Sequence, residues 1–139
     1  MKVDWGCRDE VTEFVSSRLG FSRGFSDCQT AAIRDEDGSL VAGVVFHDWS
    51  PETEVIEISC AAQDARWCQR SVMQQVFGYV FHFCQMCVFR VHEDNKRTRR
   101  LIRAFGAKEH LIPRLRGRDA NEIIMTLTDD DWFASKFLR

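Results

Sequence analysis

The sequence predicts a single mixed α/β domain over residues 1–139, with a central, mostly antiparallel sheet flanked by helices. Its length of 139 residues is that of one ordinary domain. Apolar residues recur at helical spacing in some segments, and short runs typical of strands lie between them. A strand, a long helix and another strand also follow one another from Glu54 to Val91. This β–α–β order predicts one parallel strand pair within the sheet.

The first half of the chain begins with a helix and continues with a hairpin. Val11, Phe14 and Val15 share one helical face. Gly20 provides a stop signal after them, and Gly38 supplies the positive φ that a hairpin turn requires. The predicted elements are a helix over Asp9–Leu19, an irregular loop over Gly20–Asp27, and strands over Thr30–Arg34, Leu40–His47 and Glu54–Cys60.

The second half contains the clearest helix of the sequence, whose broad apolar stripe includes Val72, Val76 and Val80. Asn95 is placed to cap the following helix, and Gly106 is placed to end it. The predicted elements are a helix over Arg70–Phe83, a strand over Met86–Val91, a helix over Lys96–Phe105, strands over Glu109–Leu115 and Glu122–Leu127, and a last helix that starts near Thr128.

The charge balance argues against some classes of protein. Nineteen basic residues and twenty-one acidic ones give a net charge of −2 and a pI near 6.1. A chain that binds nucleic acid or an anionic membrane over its whole surface is therefore not expected. No apolar run approaches the roughly 20 residues that span a bilayer. The N-terminal residues lack the apolar core of a secretory signal, and we expect a cytoplasmic protein without a membrane partner.

Six cysteines occur without the spacing of a metal site. Cys84 and Cys87 form a C-x-x-C pair, but a zinc site needs a second pair or two histidines at matching spacing. The pair also ends a predicted helix and enters a strand, whereas a thioredoxin-like motif opens a helix after a strand. The sequence therefore predicts free thiols in a reducing compartment and no metal ion.

Two segments carry a family resemblance. One, EISCAAQDARWCQRSVMQQVFGYVF, has a strand, a loop and a helix in succession. The other, VFRVHEDNKRTRRLIRAFGAKEH, is close to a strand–Asn–helix–Gly pattern. With both segments in this order, the chain resembles the GNAT superfamily of N-acetyltransferases from about Leu40 to Leu127. Within it, the sequence is similar to the branch of ribosomal-protein alanine acetyltransferases and to small phage-type members with Arg-Trp in the phosphate loop.

The loop over Ala65–Ser71 is the candidate phosphate site. A loop that opens a helix offers unpaired backbone N–H groups and the positive end of the helix dipole, which suit a pyrophosphate. The family usually has glycines here, but Ala65 and Trp67 stand at those positions. We expect Arg66 and Arg70 to supply charge-assisted phosphate contacts instead. The residues of this segment alone are also consistent with a surface loop that has two solvated arginines and a tryptophan in the core.

The resemblance implies acetyl-CoA as the cosubstrate, with its pantetheine arm lying as an extra strand between two splayed parallel strands. Backbone groups of one of those strands and side chains of the phosphate loop and the next helix are the implied contacts. These residues are Ile58, Ser59, Cys60, Arg66, Trp67, Cys68, Gln69, Arg70, Ser71, Asn95 and Thr98.

The helix after Asn95 carries five cations, whose role the sequence leaves open. They are Lys96, Arg97, Arg99, Arg100 and Arg103. They suit a solvated face, a grip on the 3′-phosphate of the coenzyme, or a nucleic-acid contact. Asn95 reads as a helix cap, and the resemblance places it beside the acetyl-CoA arm. Both roles can hold together.

The resemblance implies an enzyme in which a primary amine attacks the acetyl thioester directly. The candidate proton acceptors are Glu57, Glu54 and His92. Many family members use a tyrosine to protonate the leaving thiolate. Ile102 stands at that position, and the single tyrosine of this chain is Tyr79. Water or an unassigned residue is therefore left as the acid.

The acceptor amine is expected between the loop over Gly20–Asp27 and the hairpin around Gly117. A protein N-terminus, a lysine and a small-molecule amine all remain open as acceptors. Two other functions also remain open: a catalytically inactive coenzyme-A-binding or interaction module, and a small nucleic-acid-binding protein. The sequence also leaves a homodimer open, and a phage-encoded chain would act in the host cytoplasm.

Overall fold

The computed structural model describes residues 1–138 and contains one seven-stranded sheet. The strands are β1 (Lys2–Asp4), β2 (Cys28–Arg34), β3 (Leu40–Ser50), β4 (Val55–Ala62), β5 (Met86–His92), β6 (Lys108–Ile112) and β7 (Glu122–Thr128). Their order across the sheet is β1-β2-β3-β4-β5-β7-β6. Neighbouring strands are antiparallel except for the parallel pair of β4 and β5. The predicted fold class is therefore confirmed.

Four helices of the described chain flank this sheet. They are α1 (Arg8–Leu19), α2 (Arg70–Phe83), α3 (Lys96–Ala104) and α4 (Asp129–Phe133), and short 3-10 turns lie at Ala65–Trp67 and Lys136–Leu138. Gly20 takes a left-handed φ of 74° after α1, and Thr128 Oγ1 accepts a hydrogen bond from the Asp131 N–H at 3.2 Å. Both are the helix signals that the sequence predicts. No described helix combines the length and the hydropathy needed to cross a membrane.

The two faces of the sheet carry separate apolar clusters. On one face, α1 packs Val11, Phe14 and Val15 against β2 and β3. On the other face, α2, α3 and α4 cover a larger cluster that includes Ile56 and Ile58 of β4. Because side chains of a strand alternate between faces, Glu57, between these isoleucines, and Ser59, after them, point toward the α1 face. Polar residues of β4 can therefore lie on the α1 face of the sheet without entering the larger apolar cluster.

Two features of the fold were not predicted. The first is β1, which pairs with β2 at the edge of the sheet. Three residues are too few to show a period, so the sequence pattern does not reveal it. The second is the close approach of α4 to Gly106, where φ is 111° and an added Cβ would lie 2.9 Å from the Asp131 carbonyl oxygen. Gly106 thus both ends α3 and leaves room for α4.

Candidate functional site

The parallel strands β4 and β5 separate near the middle of the sheet and open two adjoining clefts. Their pairing runs from Val55 with Met86 to Glu57 with Val88, and no described residue continues it. The larger cleft, of about 630 Å³, lies beside α2 and α3. The smaller cleft, of about 310 Å³, reaches the end of α1 and the loop after it. They share the lining residues Ile58, Cys60, Phe89, Thr98 and Ile102, so they meet at the gap between the strands.

The larger cleft combines apolar walls with three cations. Its cations are Arg97 and Arg100 of α3 and Lys136 near the C-terminus. Asp64 is the one carboxylate among its lining residues, and it is already bound to Arg66. The described residues provide no hydrogen-bond partner for the guanidinium of Arg97 or Arg100. The larger cleft therefore favours an anionic ligand with an apolar part.

The 65–71 loop borders the larger cleft through only part of its length. Trp67 and Cys68 line this cleft, and the Trp67 indole is buried in the core. Arg66 instead binds Asp64, with Nη2 2.6 Å from Oδ2. This ion pair lowers the pKa of Asp64 to about 2. Within the loop, the 3-10 turn and its Asp64 cap thus hold the Arg66 side chain away from the cleft.

The remaining loop residues are also placed differently from the prediction. Arg70 donates from Nη2 to the Lys136 carbonyl oxygen at 3.2 Å. Gln69, Arg70 and Ser71 are exposed, and none of them lines either cleft. The sequence could not show this, because the partner of Arg70 is the carbonyl group of Lys136, which is distant in the sequence.

The cations of α3 divide between two sides of the helix. Arg99 and Arg103 bind the carboxylate of Glu109 on β6, and these contacts lower the pKa of that carboxyl. Arg97 and Arg100 line the larger cleft. The five cations are therefore not one solvated face, because two are bound to Glu109 of β6 and two lie at a cleft.

Asn95 caps α3 as the sequence predicts, because its Oδ1 accepts a hydrogen bond from the Thr98 N–H at 3.2 Å. Asn95 also lines the smaller cleft, and Thr98 lines both clefts. The cap role is confirmed, and the position at the junction of the clefts leaves the amide N–H₂ of Asn95 for a second contact.

A hydrogen-bonded chain that the sequence pattern does not reveal reaches the smaller cleft through Ser59. The buried imidazole of His47 has Nδ1 2.7 Å from Asp48 Oδ2 and Nε2 2.8 Å from Ser59 Oγ. The register of β3 is irregular after His47, and Asp48 has a positive φ of 53°. This irregularity lets two consecutive residues meet although strand neighbours normally point to opposite faces.

Glu57 lies beside this chain, with Oε2 3.7 Å from His47 Nε2. Its side chain is 24% exposed and lines the smaller cleft. Burial raises the pKa of Glu57 above its ordinary value, with Asp48 and Glu122 adding to the rise and His47 and Arg90 opposing it. A carboxylate that costs free energy to ionise is a stronger proton acceptor than an exposed one.

His47, Asp48 and Glu57 also bring ligand atoms within 4.8 Å of one another, which is close enough to suit a metal ion. Both ring nitrogens of His47 already have partners at hydrogen-bonding distance. A metal would have to replace Asp48 or Ser59 there. We therefore keep the prediction that purified protein holds no stoichiometric metal. Elemental analysis after purification without metal-affinity steps checks it, and one zinc per chain would contradict it.

The other two candidate proton acceptors are placed differently from each other. His92 lines the smaller cleft, where its Nδ1 accepts a hydrogen bond from the Asp94 N–H at 3.0 Å. Glu54 is exposed and precedes β4, at the end of the strand where β4 and β5 still pair. It lines neither cleft. The structure therefore brings Glu57 and His92 together and leaves Glu54 apart.

A second ion network lines the smaller cleft. Glu122 is buried and receives Arg90 Nε on Oε1 and Arg116 Nε on Oε2, each at 2.7 Å. Both arginines line the cleft. The sequence pattern did not single out any of the three, because they come from two strands and a loop that only the tertiary structure brings together.

The cleft thiols are held in the protonated form. Cys60 lines both clefts and Cys68 lines the larger one. Burial raises the pKa of each thiol to about 11. Because the thiolate is the nucleophile of cysteine chemistry, neither residue is suited to carry an acyl group at neutral pH. All six cysteines are free, as the sequence predicts.

Ile102, at the position where the family resemblance implies a tyrosine, is buried and lines both clefts. Tyr79 instead packs against the rings of Trp5, Phe46 and Phe83 and lines neither cleft. The described residues therefore place no phenol at the junction of the clefts.

The fold is that of the GNAT-type N-acetyltransferases, as solved structures show. A chimera of Vibrio cholerae spermidine N-acetyltransferase and hSSAT aligns with a TM-score of 0.75 and 10% identity, covering 96% of this chain and 99% of the other. A candidate phosphinothricin N-acetyltransferase aligns with a TM-score of 0.66 and 14% identity, covering 91% and 97%. Dodecameric Vibrio cholerae spermidine N-acetyltransferase aligns with a TM-score of 0.66 and 14% identity, covering 91% of this chain and 77% of the other.

No family model matches the sequence, and no curated protein matches it. At identities of 10–14%, the structural likeness establishes the fold. The residues of the two clefts are the basis for the activity proposed below.

Proposed function

We propose that this protein is an acetyl-CoA-dependent N-acetyltransferase that transfers an acetyl group to a primary amine. One observation carries the proposal: the gap between β4 and β5 joins a cationic cleft to a cleft that holds a partly buried carboxylate. Transfer between an anionic coenzyme and an amine needs these two environments side by side. The N-acetyltransferases of similar fold, named for spermidine and phosphinothricin, support this reading.

Acetyl-CoA is the substrate that fits the larger cleft. The arm of the coenzyme carries amides that can pair with the backbone of β4 beyond Glu57, where β5 no longer does. Ile58, Ser59 and Cys60 supply that stretch of backbone. Arg97 and Arg100 would contact phosphate oxygens by charge-assisted hydrogen bonds.

The reaction proposed is direct attack of the amine nitrogen on the thioester carbon. Glu57 accepts the proton of the amine, directly or through one water, and a backbone N–H of β4 polarises the carbonyl oxygen. The C–S bond then breaks, and the thiolate of the coenzyme leaves and takes a proton from water. The proton on Glu57 passes to the hydroxide that remains, which restores the carboxylate. Transfer through an acyl-cysteine is disfavoured, because the pKa of Cys60 and of Cys68 is about 11.

His47 acts in this scheme as a positioning residue. Asp48 and Ser59 hold the two nitrogens of its ring, and its Nε2 faces Glu57 at 3.7 Å. The electrostatic interaction with His47 favours the ionised form of Glu57, which limits the rise of its pKa. His92 is the second candidate for moving a proton between the cleft and solvent.

The remaining expectations follow the resemblance. We place the protein near the alanine acetyltransferase branch and its small phage-type members, in the cytoplasm, with a homodimer as the form to test by sedimentation. A catalytically inactive coenzyme-A-binding module is the second candidate function, favoured by Ala65 and Trp67 at positions where the family has glycines. Nucleic acid is a less favoured partner than acetyl-CoA, because two arginines of α3 are already bound to Glu109.

Isothermal titration with acetyl-CoA tests the proposal first. We expect one site per chain and a raised melting temperature, because a ligand that binds only the folded state stabilises it by mass action. A panel of primary amines then tests turnover through release of the free thiol. Binding without turnover of any amine would support the inactive module, and absence of binding would refute the proposal.

Asn95→Asp separates the cap from the contact with the coenzyme. Both residues cap well, so the variant should melt near wild type, whereas Asn95→Ala should lose about 1 kcal/mol. A carboxylate beside the amides and phosphates of the coenzyme should weaken binding through repulsion and the loss of an N–H donor. Calorimetry with both variants checks this. Equal affinity of wild type and Asn95→Asp would leave Asn95 as a cap only.

A further inference from the structure

We infer that the acceptor is a small molecule that carries a carboxylate as well as its amine, and that Arg90 and Arg116 bind the carboxylate. The inference rests on the proposed function, because it specifies the substrate class of the smaller cleft. It is drawn from the ion network around Glu122, which lines the same cleft as Glu57.

Glu122 orients both arginines without using up their donors. Its side chain is 2% exposed, and each of its oxygens receives a single Nε–H, from Arg90 and from Arg116. The side chains of these arginines are 45% and 37% exposed. The described residues provide no hydrogen-bond partner for the terminal nitrogens of either guanidinium. Each guanidinium therefore keeps the N–H groups of its two terminal nitrogens, whose spacing matches the two oxygens of a carboxylate.

The charges of this wall do not cancel. Two guanidinium groups bind one carboxylate, Glu122, so this network by itself has one cation in excess, and Glu57 is the other carboxylate among the residues that line the cleft. A buried carboxylate needs one cation for neutrality, and the second cation together with the free donors is left for a ligand. His92 adds a titratable group to the same cleft, and Glu93 is bound by the amide of Asn121.

The opposite charge lies in the same cleft. Glu57 lines the same cavity, and Arg90 is close enough to lower its pKa electrostatically. An ammonium group on the Glu57 side and a carboxylate on the arginine side would complement both walls at once. An acceptor with ammonium groups alone would meet an unneutralised guanidinium, which disfavours it by like-charge repulsion.

The cavity size restricts the acceptor further. About 310 Å³ suits a small molecule rather than a folded protein surface. Leu19 and Phe21 at the end of α1, together with Val91 and Ile102, give the cleft apolar lining. A free amino acid with an apolar side chain combines all three properties: an amine, a carboxylate and an apolar part.

Matched acceptors test the inference. Each apolar L-amino acid, β-alanine and γ-aminobutyrate is compared with the amine of the same skeleton that lacks the carboxylate, at equal concentration of free amine. We expect kcat/KM to be at least tenfold higher for one or more of the carboxylate-bearing members. Equal or faster acetylation of the amines without a carboxylate, polyamines included, would overturn the inference while leaving the proposed function intact.

Variants then identify the contact. Arg116→Lys retains the charge toward Glu122 but loses the planar fork, and it should raise KM for the preferred acceptor about 10-fold, with unchanged affinity for acetyl-CoA. Arg118→Gln is the matched control, because Arg118 is exposed in the same turn and lines neither cleft. Equal acceptor KM in both variants and wild type would contradict the arginine contact.

A direct binding measurement separates the two hypotheses. If no amine is acetylated, calorimetry of the same pairs still reports on the cleft. Binding of amino acids but not of the matched amines would support the inference while the proposed function fails. Absence of binding by both members of every pair would refute the inference.

Discussion

Glu57→Gln is expected to lower kcat by about 10²–10⁴-fold, the range typical of losing a positioned general base. The amide has nearly the same shape as the carboxyl group but cannot accept a proton from the amine. Affinity for acetyl-CoA should be unchanged, because Glu57 lines the smaller cleft and not the larger one. Steady-state kinetics with saturating amine, together with calorimetry of acetyl-CoA, measure both effects.

The pH dependence gives this variant a second signature. Because the ionised carboxylate is the active form, the wild-type rate should rise with pH through the raised pKa of Glu57. The amide has no such titration, so this limb should be missing from the residual activity of Glu57→Gln. A rising limb that persists with the same midpoint would assign it to another group, of which His92 is the first candidate.

As the pH rises through the pKa of Glu57, the free energy of unfolding of the wild type should fall while its activity increases. A carboxyl whose pKa is raised by folding contributes most below its unfolded pKa, and that contribution is lost as the pH rises through the folded value. Wild type should therefore lose stability relative to Glu57→Gln over that interval. Thermal melts at pH values on both sides of it measure the difference. At neutral pH, the variant should melt at or above the wild-type temperature.

Glu54→Gln is the matched control for these experiments. It removes a carboxylate three residues away that precedes the same strand but lines neither cleft. We expect wild-type kcat and an unchanged pH profile. A loss of activity in Glu54→Gln equal to that in Glu57→Gln would contradict the assignment of the proton acceptor.

The double variant Arg97→Ala/Arg100→Ala is expected to weaken acetyl-CoA binding by about 10–100-fold. Losing a charge-assisted hydrogen bond to phosphate costs about 1.5–3 kcal/mol, and partial exposure at the larger cleft reduces the sum of two such losses. Calorimetry at two salt concentrations measures the effect. The salt dependence of binding should fall in the variant, because phosphate contacts are screened by ions.

Arg66→Ala/Arg70→Ala is the informative comparison. On the sequence alone, these two arginines were expected to hold the phosphates. In the structure, Arg66 binds Asp64 and Arg70 donates to the Lys136 carbonyl oxygen. We therefore expect a smaller loss of affinity than in the α3 variant. A larger loss in the loop variant would show that acetyl-CoA binding rebuilds the loop.

Elements with a repeated pattern were predictable to within a few residues. The stripe of α2 and the caps at Asn95 and Thr128 locate their helices, because helix period and capping are properties of neighbouring residues. The β–α–β order around α2 likewise predicted the parallel pair of β4 and β5. In contrast, β1 was missed because three residues are too short to carry a period.

The site was predictable where a residue's role depends on its own strand. Glu57 and Ser59 alternate with the core isoleucines of β4, which places them on the opposite face. The partners of these residues were not predictable. His47 meets Ser59 across the β3–β4 pair, and Glu122 meets Arg116 across a turn, so no spacing in the sequence relates them to a site.

The sequence by itself determined the helices, most strands, the parallel crossover and the candidate carboxylate, because local periodicity and chain order control these features. The tertiary structure decided which charges remain available. Pairing by Asp64 and Glu109 removed Arg66, Arg99 and Arg103 from the candidate ligand contacts. It left two arginines of α3 at the larger cleft, and burial raised the pKa of Glu57. Charge partners and desolvation depend on residues distant in sequence, so only the folded chain defines them.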